Sequence, residues 1–191
     1  MQESPIRTTD PVMELGIIAQ FRDEAPYLSE WIEYHRLAGV DRFWLYDDGS
    51  ADDWRSEIAN CIDRGAAIEV RPVPGDAGDP VTTPASTKQR ATFRDGLRRA
   101  SGAVRWAAVI DVDEFLLPMA DATVPGCLSK RFDDAAGVYV NWRMFGTSQA
   151  VVPLGMPLLG RLTACSLPGH PENCIGKSLV RPDRVVVDDL W

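Results

Sequence analysis

A short apolar run that ends in three carboxylates constrains this chain more than any other feature. Residues 106–110 predict a buried strand, and Asp111, Asp113 and Glu114 follow it within four positions. Because side chains alternate faces in an extended chain, Asp111 and Asp113 are expected to point the same way, with Val112 turned toward the core. Two neighbouring carboxylates repel each other unless a proton or a cation lies between them.

A carboxylate pair at the end of a buried strand is typical of a site for a divalent cation and a diphosphate. Mg²⁺ and Mn²⁺ prefer oxygen ligands and commonly use one or two carboxylates together with phosphate oxygens of the substrate. A solvated acidic turn after the strand explains the same residues without any function. From this motif alone both interpretations stay open.

The first part of the chain alternates predicted strands with predicted helices. Apolar runs at 15–21, 42–46, 67–70 and 104–110 predict strands, and the segments 26–38, 52–64 and 86–100 predict helices. This alternation favours a mostly parallel sheet with right-handed crossovers. Ligands of such sheets bind beyond the carboxyl ends of the strands, which places residues 21–23, 47–48 and 111–113 around one crevice.

The pattern weakens after Pro118. Two further strands are predicted at 136–142 and 177–181, whereas residues 153–171 are rich in Pro, Gly and Leu without clear periodicity. Residues 71–84 contain four prolines and predict a long loop. The segment 185–191 has the pattern of a strand that is interrupted by the end of the chain.

Composition narrows the classes of function. The 191 residues carry a net charge of −8, and because binding nucleic-acid phosphates needs clustered Lys and Arg, no nucleic-acid partner is expected. The four cysteines lie far apart and predict reduced thiols rather than a zinc ribbon or a disulfide scaffold. His35 and His170 are the only histidines, which excludes a multi-histidine metal site.

The sequence also bears on location. Its first ten residues lack the apolar core of a signal peptide, and no run approaches the roughly 18 apolar residues of a membrane-spanning helix. We therefore expect a chain without a transmembrane segment.

Five motifs, taken in order, resemble the family 92-like glycosyltransferases, which are related to family 2 and have the GT-A fold. The motifs lie at 19–35, 39–52, 111–116, 142–148 and 177–182. The first contains the Glu-Trp and Tyr-His pairs of that family, and the third matches its D-x-D-E-F signature. The resemblance covers roughly residues 15–187, and five ordered motifs are far more specific than one D-x-D.

The resemblance implies a fold, a donor and a cofactor. The fold is α/β, with a GT-A (Rossmann-like), mostly parallel sheet flanked by helices. The donor is a nucleotide sugar, UDP-linked by preference, the acceptor is a glycan or another hydroxyl, and the cofactor is Mn²⁺ or Mg²⁺. Relatives that build surface polysaccharide imply a cytoplasmic location, with possible peripheral membrane association.

The resemblance also implies one domain over residues 1–191. Residues 1–13 form its tail, 14–118 the nucleotide-binding half and 119–191 an incomplete acceptor half. Related chains continue with a strand whose His is the usual third protein ligand of the metal. Since this chain ends at Trp191, we expect either a truncated protein or a short product with weak metal affinity.

Site residues carry over from the resemblance position by position. Asp113 is expected to hold the metal, with Asp111 beside it or on the donor ribose. The expected nucleotide-sugar contacts are Gln20, Arg22, Asp23, Asp48, Gln89, Arg90 and Asp111. Asp48 is equally explained as a turn-forming residue, and Gln89 and Arg90 as exposed helix residues.

The catalytic base and the acceptor contacts are less well defined. Inverting transfer needs a general base near the acceptor hydroxyl, for which Glu172 and Glu114 are candidates, with His170 as a third. Glu114 is alternatively a partner of basic side chains behind the metal. Trp142 and Phe145 are expected to stack on a sugar, unless they are core aromatics. Trp31 and His35, on the first helix, are interpreted as core and structural residues.

Two other functions compete with this interpretation. Aspartyl phosphotransferases of the haloacid dehalogenase type also use D-x-D at a strand end, but they require D-x-D-x-T near the first strand. Here Phe115 occupies the Thr position and the motif follows the fourth strand. The other alternative is a shortened relative that binds a nucleotide or a partner without turnover.

Overall fold

The computed structural model describes residues 12–75, 85–147 and 156–189. The strands in these ranges are β1 (Met13–Phe21), β2 (Arg42–Asp47), β3 (Ile68–Pro72), β4 (Val104–Val109), β5 (Gly137–Asn141), β6 (Phe145–Gly146), β7 (Ala164–Cys165) and β8 (Gly176–Val180). The α-helices are α1 (Ala25–Leu37), α2 (Trp54–Asp63), α3 (Ala85–Ala100), α4 (Val124–Arg131) and α5 (Leu158–Arg161).

Six strands form one sheet in the order β3-β2-β1-β4-β8-β5, and β6 pairs with β7 separately. The strands β1 to β4 are parallel to their neighbours, whereas β8 runs antiparallel to β4 and to β5. The expected α/β fold with a mostly parallel sheet flanked by helices is confirmed. The chain winds from β1 to β2 and β3, then crosses to β4 on the other side of β1. Such a reversal opens a crevice between β1 and β4 at their carboxyl ends.

The side chains of β1 alternate between two cores, as the strand period requires. Leu15 and Ile17 pack with the buried residues of α1 and α2, whereas Ile18 packs with those of α3. On the α3 side, a Cβ added to Gly96 would lie 2.4 Å from Ile18 Cγ2. The glycine therefore allows α3 to approach the sheet more closely than any larger residue would.

Local signals explain where the first helices begin and end. Pro26 lies in the first turn of α1, where its missing N–H costs nothing. The turn after α1 uses Gly39 at φ 95°, a backbone conformation that favours glycine. Asp53 caps α2, and its carboxylate accepts a hydrogen bond from Ser56 N at 3.4 Å.

The C-terminal segments differ from the prediction in one place. The strands predicted at 136–142 and 177–181 exist as β5 and β8. The strand predicted at 185–191 is wrong within the described residues, because Val187–Asp189 forms a short 3₁₀ helix. The segment is held against α3 rather than at a sheet edge: Val185 and Val187 pack on the core cluster of α3, and Arg98 donates to Asp188 Oδ1 at 2.7 Å.

Some predicted segments lie outside the described residues. These are most of the tail at 1–13, residues 76–84 of the predicted loop and residues 153–155 of the segment at 153–171. The predicted loop begins two residues later than expected, because Arg71 and Pro72 belong to β3. In the described part of the chain, no helix has both the length and the apolar character needed to cross a bilayer.

Candidate active site

A pocket of about 470 Å³ opens at the carboxyl ends of β1 and β4, beside the first turn of α3. This is the crevice that the strand order predicts. Its polar lining residues are Gln20, Arg22, Glu24, Ser86, Gln89, Asp111 and Asp113. The structure therefore brings together most of the predicted donor contacts and both predicted metal ligands.

The acidic residues enter this pocket from a turn rather than from an extended strand. β4 ends at Val109, and Glu114 N donates to Asp111 O at 3.1 Å. Within the same turn, Asp111 N donates to the Glu114 carboxylate at 2.8 Å. Val112 is buried, so Asp111 and Asp113 still face the pocket while the residue between them packs into the core.

Both carboxylate oxygens of Asp111 already have donors. Gln89 Nε2 donates to Oδ1 at 3.2 Å, and Lys177 Nζ donates to Oδ2. Lys177 Nζ also lies 3.5 Å from Glu114 Oε2. Glu114 is thus a partner of a basic side chain behind the acidic turn, as one of its two predicted interpretations requires.

The protonation of this cluster follows from its burial. Desolvation raises the pKa of Glu114, although the Asp111 N–H and Lys177 oppose the shift. Burial alone would lower the pKa of Lys177, but its hydrogen bond to Asp111 and the charge of Glu114 outweigh burial and raise that pKa. Lys177 is therefore a permanent cation at neutral pH.

Glu24 is a pocket residue that the sequence did not single out. It directly precedes α1 and lines the pocket with Asp113. Partial burial raises its pKa, and the charges of Asp113, Asp52 and Asp23 raise it further. The sequence signal for Glu24 is its position just after β1, in the Asp-Glu pair of the first motif.

Asp23 holds the neighbouring loop. Its φ of 56° lies in the left-handed region, which Asp tolerates better than most residues. Asp23 N donates to Ser50 Oγ at 3.0 Å, and Ala51 N donates to the Asp23 carboxylate at 2.7 Å. The adjacent Arg22 is exposed, with Nε 3.8 Å from the Asp23 carboxylate. Asp23 therefore connects β1 to the turn after β2.

Asp48 and the first turns of α3 are joined by an ion pair. Lys88 Nζ lies 3.0 and 3.2 Å from the two oxygens of Asp48, and both side chains are largely buried. Beside them, Thr92 Oγ1 donates to Gln20 Oε1 at 3.1 Å. Asp48 does not line the pocket, and Arg90 is exposed on α3. The turn after β2 is closed by Asp47, whose carboxylate accepts from Ser50 N at 2.7 Å, whereas the Asp48 carboxylate pairs with α3.

Helix α1 positions the segment that follows the acidic turn. Trp31 Nε1 donates to Glu114 O at 2.7 Å, and Tyr34 Oη donates to Leu116 O at 3.1 Å. His35 Nδ1 donates to Trp31 O at 2.8 Å, and His35 Nε2 accepts from Leu116 N at 3.2 Å. The Glu-Trp and Tyr-His motif is therefore the support of the D-x-D-E-F motif.

This support requires a neutral histidine. His35 is buried, and desolvation lowers its pKa to about 4. A neutral ring has one donor and one acceptor nitrogen, which matches its two backbone partners. Trp31 is fully buried. The structural interpretation of both residues agrees with these contacts.

The predicted acceptor residues lie outside the pocket lining. The Trp142 ring centroid is 5.8 Å from Lys177 Nζ, so Trp142 is adjacent to the acidic turn. Phe145 is half exposed in β6, and Glu172 is exposed in the short 3₁₀ helix Pro171–Cys174. The structure therefore brings Trp142 close to Asp111 through Lys177, whereas Phe145 and Glu172 are exposed on segments that do not line the pocket.

A divalent metal fits this pocket only if substrate phosphates supply some of its oxygen ligands. In the ranges that the structure describes, no group of three or more His, Cys, Asp or Glu side chains could hold an ion. Asp113 is exposed, lines the pocket and lies near the carboxylate of Glu24. One or two carboxylates are sufficient when substrate phosphates supply the remaining oxygen ligands.

Two plant relatives share about half of this chain. A glycosyltransferase family 92 protein of Ricinus communis is 34% identical over 102 residues, which is 53% of this chain and 17% of that protein. One of Oryza sativa subsp. japonica is 33% identical over 100 residues, or 52% of this chain and 15% of that protein. The matched part of this chain thus spans less than a fifth of either relative.

Solved structures show weaker likeness. The crystal structure of a mycobacterial protein has a TM-score of 0.48 and 19% identity, covering 90% of this chain and 54% of that one. Glucosyl-3-phosphoglycerate synthase from Mycobacterium tuberculosis, solved with Mn²⁺ and UDP, has a TM-score of 0.35 and 17% identity over 52% of this chain and 33% of that one. Likeness of this size carries no statement about the function of this chain.

The family itself is defined by a longer match. The profile described as Glycosyltransferase family 92 matches residues 18–187, a range that contains all five motifs described above. This range includes the last four residues of β1 and all of β2 to β8, together with the acidic turn and its support from α1. The chain therefore belongs to glycosyltransferase family 92.

Proposed function

We propose that this chain transfers a sugar from a nucleotide-sugar donor, UDP-linked by preference, to a hydroxyl of a glycan or another acceptor, with inversion. The observation that carries this proposal is the pocket at the carboxyl ends of β1 and β4, where Asp111 and Asp113 meet Gln20 and Gln89. Family membership supports the class of reaction.

The donor would lie across the two sides of this pocket. The amide side chains of Gln20 and Gln89 offer the donors and acceptors that a nucleoside requires. Arg22, exposed at the rim, offers a cation to the diphosphate. Asp23 acts on the donor through the loop that it holds, and Asp48 acts through its ion pair with Lys88 of α3. Arg90 remains a proposed contact from the exposed face of α3.

Mn²⁺ or Mg²⁺ would be held by Asp113, with Asp111 and Glu24 beside it. When bound, such an ion stabilises the negative charge of the departing nucleotide diphosphate as a Lewis acid. The contribution of the protein is to keep Asp113 free and oriented, because the turn from Asp111 to Glu114 is fixed by its own hydrogen bonds and by α1.

The acceptor would approach from the side of Trp142. Asn173 joins this side into one unit, since its Oδ1 accepts from Met144 N at 3.3 Å and from Ser166 Oγ at 2.8 Å. That unit carries Phe145 and Glu172. Glu172 remains the proposed base, because the carboxylate of Glu114 is engaged by Lys177 and by a backbone N–H.

The phosphotransferase alternative is disfavoured by the state of Asp111. Hydrogen bonds and a neighbouring ammonium make a carboxylate oxygen a weaker nucleophile toward phosphorus. Both oxygens of Asp111 are hydrogen-bonded, to Gln89 and Lys177. We propose no activity of that class.

A thermal-shift panel tests the proposed function. The full chain is heated with UDP, GDP, CDP and ADP, each with and without Mn²⁺. We expect UDP and Mn²⁺ together to raise Tm by more than the sum of their separate effects. Release of UDP from UDP-sugars in the presence of candidate acceptors then distinguishes turnover from binding alone. Equal, small shifts for every combination would contradict the proposal.

A further inference from the structure

We propose that Lys177 is a built-in cation of the acidic turn, which competes with the divalent metal for Asp111 and makes metal binding depend on the nucleotide. The inference rests on the proposed function, since the metal concerned is the one that a nucleotide-sugar donor requires. It adds a positioning residue that lies 66 positions from its partner in the chain.

The ammonium of Lys177 lies where a metal ion would otherwise be attracted. Its Nζ donates to Asp111 Oδ2 and lies 3.5 Å from Glu114 Oε2. Only 20% of the side chain is exposed, so the two carboxylates and the ammonium interact with limited screening by water. One positive charge is thus already bound between two of the three carboxylates of the turn.

The position of Lys177 is set by strand pairing rather than by a mobile loop. Lys177 lies in β8, where it is paired with Val140 of β5, and Ser178 is paired with Val109 at the end of β4. The Trp142 ring lies on the same side, 5.8 Å from Nζ, which is within range of a cation–π attraction. The sheet therefore delivers the ammonium to the end of β4 before any ligand binds.

The remaining oxygen of Asp111 is also occupied, because Gln89 Nε2 donates to it at 3.2 Å. A metal at Asp111 would share these oxygens with Gln89 and Lys177 and would lie close to the ammonium, which repels it. Asp113 differs, since within the described ranges its carboxylate has no hydrogen-bond or ion-pair partner. Among the described residues of the turn, a metal therefore finds one carboxylate without such a partner, that of Asp113, with Glu24 nearby.

One carboxylate holds a divalent ion only weakly, and a nucleotide diphosphate supplies the missing oxygen ligands. Lys177 thus makes the pocket a poor metal site on its own and a good one when the nucleotide is present. Without the ammonium, Asp111 and Glu114 would surround a vacant position of negative potential and would attract the ion directly.

The test measures Mn²⁺ binding by the full chain without nucleotide. The EPR signal of free Mn²⁺ reports how much of the ion remains unbound. For Lys177→Met we expect binding at least about tenfold tighter than for the wild-type chain, because a competing unit charge is removed from a partly buried site. Lys177→Arg, which keeps the charge, should bind Mn²⁺ as weakly as the wild type. Lys130→Met removes a surface lysine paired with Asp121 and should change nothing.

A double variant identifies the carboxylate concerned. Lys177→Met combined with Asp111→Asn should lose the gain in Mn²⁺ affinity, whereas a merely destabilised fold would not respond in this way. Circular dichroism checks folding, and Lys177→Gln replaces Lys177→Met if the latter does not fold. Unchanged or weaker Mn²⁺ binding in the single variant, or a gain that survives Asp111→Asn, would overturn the inference.

This outcome is separable from that of the proposed function. The role of Lys177 is tested without nucleotide, by the affinity of the variants for Mn²⁺ alone. The proposed function is tested by the joint effect of UDP and Mn²⁺ on the Tm of the wild-type chain. If Lys177→Met binds Mn²⁺ more tightly but the wild type does not respond to UDP, the role of Lys177 is supported and the choice of donor is contradicted.

Discussion

The N-terminal region (residues 12–118) and the C-terminal region (residues 119–189) stabilise their structures by different means. The first buries its central strands β1, β2 and β4 on both faces, and Leu15, Ile17, Ile18 and Ala19 of β1 are fully buried. In the second, four of the five residues of β5 are exposed, and both residues of β6 and of β7 are exposed.

Polar contacts replace the core in the C-terminal region. The buried Asn173 joins three segments by hydrogen bonds, and the Glu30 carboxylate accepts from the N–H groups of Leu158 and Leu159 at the start of α5. Segments with few buried apolar contacts open at low free-energy cost. The pocket at the ends of β1 and β4 thus lies on the well-buried region, and the proposed acceptor residues lie on the region with fewer buried apolar contacts.

The largest contrast is expected for truncation of an aromatic residue. Trp31→Ala should lower the free energy of unfolding by about 3–5 kcal/mol, because it empties a fully buried position and removes the hydrogen bond to Glu114 O. Leu167→Ala, at a residue that is 80% exposed, should change it by less than about 0.5 kcal/mol. Urea unfolding measures both, and comparable losses would contradict the contrast.

The two histidines provide a second contrast, in the pH dependence of stability. Burial lowers the pKa of His35 from 6.5 to about 4, so between these values the unfolded chain binds a proton that the folded chain excludes. The contribution of neutral His35 to the free energy of unfolding is fully present above pH 6.5 and is lost as the pH falls through 4. The loss amounts to roughly 3 kcal/mol.

The variants His35→Gln and His170→Gln isolate this term. Since other carboxyl groups also titrate in acid, the measured quantity is the difference between each variant and the wild type in urea unfolding from pH 7 to pH 4. His35→Gln should remove the slope that belongs to His35, whereas His170→Gln, at an exposed residue, should retain it. A shared slope in the wild type and His35→Gln would show that His35 titrates normally.

A smaller contrast is expected for two glycines. Gly96→Ala places a Cβ against Ile18 and should destabilise the fold by about 1–3 kcal/mol, because α3 must move away from the sheet. Gly146→Ala in β6 meets no atom within 4 Å and should be close to neutral. Thermal unfolding compares them, and a neutral Gly96→Ala would mean that the helix is more loosely packed than its contacts indicate.

The N-terminal region could be predicted from the sequence more closely than the C-terminal region. β1 and β4 were predicted closely because continuous apolar runs are the signal of strands that are covered on both faces. The segment 185–191 carries similar apolar residues, yet Val187–Asp189 is a 3₁₀ helix, since the contact between Asp188 and Arg98 cannot be inferred from local pattern.

The candidate site shows more clearly which contacts cannot be predicted from the spacing of residues in the sequence. Asp111 and Asp113 are neighbours in the chain, so their common pocket could be predicted from one motif. Lys177 is 66 residues from Asp111, and Lys88 is 40 residues from Asp48, so neither ion pair has a local signature. Glu24 was overlooked because an acidic residue before a helix has an ordinary structural explanation.

The central claim is that this pocket binds a nucleotide diphosphate together with a metal held by Asp113. Isothermal titration of UDP into the full chain, with and without Mn²⁺, tests it in the wild type, in Asp113→Asn and in the control Asp63→Asn at an exposed residue of α2. We expect Mn²⁺ to raise the affinity for UDP at least about tenfold in the wild type and in the control, but not in Asp113→Asn. An equal effect of Mn²⁺ in all three proteins, or no effect in the wild type, would contradict it.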